Sequence, residues 1–193
     1  MKKIVVGLIF NVFFGLNLFG DWFQVFEEFT KACDNDAKRC NDLGYLYKNG
    51  KGVKQDYFKA KELFTKACDA GGVEGCSNLG LLYNLGKGVK QDYFKASELY
   101  KKACNDGHIG SCNNLGSMYN NGEGLTQDYF KANELYKKAC DGGYTLGCNN
   151  LGANYYKGFG VKQDIKKAKE LFGKACDLGS QDGCENYAIL NKQ

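Results

Sequence analysis

The chain has 193 residues, 44% of them hydrophobic and 25% charged, ordinary values for a globular domain. Its 26 cations and 22 anions leave a net charge of +4, and Arg39 is the only arginine, a poor footing for nucleic-acid or nucleotide recognition. A single histidine, His108, excludes any site needing two, so ten cysteines in a proline-free chain are what the sequence has to explain.

At the amino terminus Lys2 and Lys3 precede an almost unbroken apolar run from Ile4 to Phe19. A short cationic start and an apolar stretch below the roughly 20 residues of a spanning helix read as a secretory signal peptide over residues 1–20. Cleavage after Gly20 uses Leu18 and Gly20 at the recognition positions, a weaker match than Ala-x-Ala, so an uncleaved anchor stands as the alternative. The expected location is secreted or periplasmic, without stable membrane insertion once the signal is removed.

Residues 21–39 read as a half-unit cap, with Trp22, Phe23, Phe26 and Phe29 before Cys33 imitating an isolated second helix. From there one unit is written four times, over 40–75, 76–111, 112–147 and 148–183. The cysteines stand at 33, 40, 68, 76, 104, 112, 140, 148, 176 and 184, so that from Cys40 onward the period is 36. A fixed period of this length marks a repeat array, and a stack of such units forms one domain.

Each unit reads as two helices. The first runs from about Gly75 to Asn84 in the second unit, with Leu79, Leu82 and Tyr83 inward and Gly80 allowing a close neighbour. The loop from Leu85 to Gln91 takes its turns from Gly86 and Gly88, which removes the need for proline. Asp92 is a good N-cap for the second helix, and Tyr93, Ala96, Leu99, Tyr100 and Ala103 recur at helical spacing. Lys101 and Lys102 suit its carboxyl end, and Gly107 suits its stop. Residues 184–193 supply a terminal cap helix. The fold class is all-α: a right-handed α/α superhelix of 36-residue, disulfide-bridged helix-turn-helix repeats.

In every unit one cysteine ends a second helix and the next begins the following first helix. The repeat therefore selects the pairs 33–40, 68–76, 104–112, 140–148 and 176–184, each closing a loop of about nine residues worth about 2.5 kcal/mol on the chain-entropy model. The first spacing is one residue shorter and lacks glycine, which leaves its bridging open. No C-x-x-C occurs, so zinc, thioredoxin-like and c-type haem chemistry have no motif, and no metal or cofactor is expected.

The combination of N-L-G-x-x-Y, G-x-G-V-x-Q-D, K-A-x-E-L-Y/F and K-A-C-x-x-G resembles Sel-like repeats. With a cysteine pair in each unit behind an export signal, the chain from Phe29 to Asn191 is similar to the secreted cysteine-rich Hcp family. That resemblance implies disulfide-bridged α/α repeats, penicillin binding and a β-lactamase activity that hydrolyses the β-lactam amide.

The residues themselves offer that chemistry little. None of Ser77, Ser97, Ser111, Ser117 or Ser180 begins S-x-x-K, and His108 reads as an exposed loop imidazole. Glu62, Glu98, Glu134 and Glu170 recur every 36 residues, as paired carboxylates on a concave face or as a solvated helix face.

A binding groove is better motivated. Asp42, Asn78, Asn114, Asn150 and Asn186 stand two residues past each first-helix cysteine. Such a ladder pairs with a bound backbone or ties neighbouring repeats together. Beside it Tyr45, Leu81, Ser117, Ala153 and Ile189 differ from unit to unit, while Tyr47, Tyr83, Tyr119 and Tyr155 read as core. Two function classes follow: a monomeric scaffold for a peptide, protein or cell-wall-like ligand, and a penicillin-binding hydrolase.

Overall fold

The computed structural model describes Cys33 and residues 36–192. The expected signal peptide and most of the amino-terminal half-unit cap lie outside these residues. Among the described residues there are nine helices and no strand. The first helices are α1 (Ala37–Asn49), α3 (Val73–Leu85), α5 (Ile109–Asn121), α7 (Thr145–Lys157) and α9 (Gln181–Asn191). The second helices are α2 (Tyr57–Asp69), α4 (Tyr93–Asn105), α6 (Tyr129–Asp141) and α8 (Ile165–Asp177). Each helix starts 36 residues after its predecessor of the same kind, including α1 to α3. The missing residue of the first cysteine pair therefore falls before Ala37, outside the helical register.

Both helix starts and stops follow from local chemistry. Asp36, Asp56, Asp92, Asp128 and Asp164 sit in extended backbone and accept from first-turn amides, capping α1 and all four second helices. The first helices α1, α3, α5 and α7 end on a left-handed glycine, as at Gly86 with φ 65°. Second helices end in a Schellman turn: Gly71 donates to the Cys68 carbonyl and Gly72 to that of Ala67, with φ +82° at Gly71. The first helix extends two residues earlier than the periodicity indicated. Cys76 consequently lies within its first turn.

The core forms both within units, where Leu43 of α1 packs with Leu63 and Ala67 of α2, and between them. Ala60 and Phe64 of α2 pack on Leu79 and Leu82 of α3, and Ala96 and Tyr100 of α4 pack on Leu115 and Met118 of α5. Within a unit the aromatic ring of the second helix covers the first-helix glycine. A Cβ on Gly80 would stand 3.0 Å from the Tyr100 ring, and one on Gly44 2.7 Å from Phe64. The glycine is thus a seat for a ring. A unit cannot bury its core alone, which is the physical basis of a helical solenoid.

Five disulfides join the helices across the inter-unit turns: Cys33–Cys40, Cys68–Cys76, Cys104–Cys112, Cys140–Cys148 and Cys176–Cys184, with Cα separations of 4.5–4.7 Å. No cysteine is free, the state expected of an oxidising, extracytoplasmic compartment. Among the described residues no helix is long and apolar enough to cross a membrane.

Candidate functional site

The first helices stack side by side, and the asparagine ladder is where they meet. Asn78 Nδ2 donates to Asn41 Oδ1 at 2.9 Å, Asn150 to Asn113 at 2.9 Å and Asn186 to Asn149 at 3.1 Å. Each bond spans 37 residues, one more than the repeat, because the solenoid offsets neighbouring helices by about one position. Asn114 has a serine, Ser77, at the equivalent partner position and instead interacts with the Tyr100 hydroxyl. Burial pushes that phenol well above its usual range, partly offset by Asn114. Asn78, Asn114, Asn150 and Asn186 are all half-buried, while Asp42 is exposed. At one end Lys48 Nζ donates to Asn78 Oδ1 at 3.2 Å, and burial lowers the pKa of this ammonium.

The variable positions border this row. Tyr45 and Ile189 are exposed, and Leu81, Ser117 and Ala153 are half-buried, with Ser117 Oγ bonded by the Tyr136 hydroxyl at 3.2 Å. Tyr47, Tyr83, Tyr119 and Tyr155 pack their rings against the buried clusters, as core residues do. Glu62, Glu98, Glu134 and Glu170 sit exposed on the second helices, one in each, away from the first-helix row. They form no carboxylate pair on that row.

His108 is not an exposed loop imidazole. It is half-buried and caps α5, its Nδ1 accepting from the Ser111 amide at 3.0 Å and lying 2.9 Å from Ser111 Oγ. Ser111 Oγ in turn reaches Ser77 Oγ at 2.9 Å. Ser111 occupies the position that is Gly75, Gly147 and Gly183 elsewhere, where a Cβ would come within 2.5–2.7 Å of Ala67, Ala139 or Ala175 Cβ. The other serines also serve the fold: Ser97 Oγ bonds the Phe94 carbonyl, and Ser180 caps α9. Among the described residues no group of three or more His, Cys, Asp or Glu could hold a metal ion.

One polar cluster escaped the sequence. Asn154 is buried and donates through Nδ2 to Asn120 Oδ1 at 3.0 Å and Asn133 Oδ1 at 2.8 Å, while Asn133 donates to the Phe159 carbonyl at 2.7 Å. One repeat earlier the partner position holds Met118, and Asn84 Oδ1 is left buried without a hydrogen bond.

The family model for the Sel1 repeat matches residues 40–72, 73–108, 109–144 and 145–180. The chain belongs to the Sel1 repeat family. Its matched segments begin at or beside the first helices and so follow the helix pairs. Among solved structures, this Sel1 chain is similar to a protective antigen of uropathogenic Escherichia coli strains that displays an SLR fold. The two share 32% identity with a TM-score of 0.79, over 89% of this chain and 36% of the other. A Sel1 repeat protein from Oxalobacter formigenes shares 30% identity with a TM-score of 0.75, over 82% of this chain and 63% of its own length. The chain therefore spans about a third and under two thirds of these two relatives. Helicobacter pylori cysteine rich protein B shares 37% identity with a TM-score of 0.54, over 70% of this chain and 98% of that one. A comparison with curated proteins finds no match.

Proposed function

We propose that this Sel1 repeat protein is an extracytoplasmic, non-enzymatic interaction scaffold whose stacked first helices receive an extended peptide or a segment of a partner protein. The observation that carries the reading is the row of half-buried Asn78, Asn114, Asn150 and Asn186. Each carboxamide has two N–H groups and two lone pairs, and the bonds within the protein use only part of that capacity. A remaining donor and acceptor at every repeat suit a backbone that offers the same groups at regular intervals. The neighbouring Tyr45, Leu81, Ser117, Ala153 and Ile189 give each repeat a different side-chain surface, the natural place for specificity.

The β-lactam-opening activity implied by the family resemblance has no such support. The serine hydroxyls are engaged in caps, turns and contacts between helices, and the recurring glutamates are dispersed over the second helices.

Peptides selected by display on the oxidised protein test the reading. Saturable binding, measured by fluorescence anisotropy, should weaken about tenfold in both Asn114→Ala and Asn150→Ala, the loss of one to two hydrogen bonds. Thermal scans on the same variants separate lost binding from lost folding. Turnover of a chromogenic cephalosporin that follows the purified monomer, with no peptide selected, would overturn the scaffold in favour of the hydrolase.

A further inference from the structure

The intra-repeat loops and the amino ends of the second helices form a continuous edge, opposite the disulfides. A Cβ on Gly88 would lie 2.5 Å from the Tyr57 carbonyl carbon, on Gly124 2.4 Å from that of Tyr93, and on Gly160 2.6 Å from that of Tyr129. These three loops therefore rest on the start of the preceding second helix. The Tyr129 and Phe159 rings stack across the same junction, with centroids 4.7 Å apart.

Two properties mark this edge, which shares only Lys48, a donor to Asn78, with the asparagine row. The first is charge. Segments 48–59, 84–95, 120–131 and 156–167 contain twelve lysines against five carboxylates, a net of +7, while the whole chain carries +4. The remainder of the chain is thus net −3, and the positive charge is concentrated on the edge. Four of the five carboxylates are the N-caps Asp56, Asp92, Asp128 and Asp164, each accepting from helix amides through Oδ1. The second is apolar exposure. Phe58, Phe94 and Phe130, at the same position of the first three repeats, are 69%, 60% and 63% exposed, and the fourth repeat has Lys166 there. No core requirement explains a large apolar ring held in water three times over.

We propose that this edge is a peripheral docking surface for an anionic lipid bilayer. The phenylalanine rings stand exposed along this edge. Phe58 projects between two surface clefts of about 710 and 550 Å³, one flanked by Lys54 and Lys59 and the other by Lys61, Lys90 and Lys95. Exposed apolar rings beside ammonium groups match an interface where acyl chains lie just below phosphate headgroups. A purely polyanionic chain would use the lysines and leave the phenylalanines wet. The charge is uneven: Glu123 and Thr126 replace two lysines in the third repeat, so the first, second and fourth repeats carry the attraction.

Co-sedimentation of the mature, oxidised protein with lipid vesicles tests the proposal. Vesicles containing phosphatidylglycerol should bind at least about tenfold more tightly than vesicles of phosphatidylcholine alone, and added salt should abolish the difference. The triple variant Phe58→Ser, Phe94→Ser, Phe130→Ser should lose at least about tenfold in binding with its thermal midpoint retained, because the rings are exposed. Should that variant unfold, Lys54→Glu, Lys90→Glu, Lys162→Glu carries the test, with loss of phosphatidylglycerol preference expected in a folded protein. Equal binding to both vesicle types overturns the proposal, as does a triple phenylalanine variant that is folded and binds like the parent. Binding to poly-glutamate without vesicle binding would make the edge an acidic-peptide surface instead.

Discussion

Every repeat turns twice, and its two turns are held by different means. The inter-unit turn is closed by a disulfide between helices whose Cα atoms stand 4.5–4.7 Å apart, with the sulfurs largely buried. The intra-unit loop has no covalent tie. Its glutamine bridges the end of one helix and the start of the next, as Gln127 Nε2 does in reaching the Asn120 carbonyl at 2.8 Å and the Tyr129 hydroxyl at 2.9 Å. Its second glycine fits against the repeat before it at Gly88, Gly124 and Gly160. The covalent edge fixes the pitch of the stack, which leaves the loop edge and the first-helix row to vary in charge and side chain.

Reduction should separate the two edges most strongly. Five loops worth about 2.5 kcal/mol each amount to about 12 kcal/mol, comparable with the whole stability of an ordinary domain. The fully reduced chain should lose most of its far-ultraviolet helical signal at a temperature where the oxidised protein is folded. An unchanged melting curve would show that the loop edge and the core hold the solenoid unaided.

A matched pair of glycine substitutions gives a smaller effect. Gly143 and Gly160 both have positive φ, 81° and 66°, but a Cβ on Gly143 enters open space while one on Gly160 meets Tyr129 and Phe130 backbone atoms at 2.6–2.8 Å. Left-handed strain is common to both, so Gly160→Ala should cost about 1–3 kcal/mol more than Gly143→Ala in urea unfolding. Equal costs would mean that the loops do not rest on the preceding repeat.

The smallest expected difference concerns the glutamine bridge. Gln127→Ala removes two hydrogen bonds, whereas Gln163 bonds only the Tyr156 carbonyl at 2.7 Å because Ile165 replaces the tyrosine. Gln127→Ala should therefore destabilise by about 1 kcal/mol and Gln163→Ala by about half as much, read from denaturant midpoints.

Much of this was legible because each repeat states the same local chemistry again. The Asp caps, the left-handed glycines and the 28- and 8-residue cysteine intervals act over a few residues, and short-range geometry fixes them. What the sequence did not reveal depends on how repeats stack. The ladder partner lies 37 residues away rather than 36, because helix offset is a property of the solenoid twist. His108 capping α5, with Ser111 in a glycine's place, requires knowing how closely two helices approach at that turn. The Asn154, Asn133 and Asn120 cluster reads as three unrelated polar residues until the fourth repeat is laid on the third. Phe94 lies off the stripe of Tyr93, Ala96, Leu99, Tyr100 and Ala103, and the structure shows it exposed together with Phe58 and Phe130.

Non-reducing peptide mapping by mass spectrometry tests most directly the claim that five local staples hold this stack. Linked peptides are expected for Cys33–Cys40, Cys68–Cys76, Cys104–Cys112, Cys140–Cys148 and Cys176–Cys184, with no alkylatable thiol before reduction. A bridge joining cysteines of different turns, or a free thiol in the folded exported protein, would contradict it.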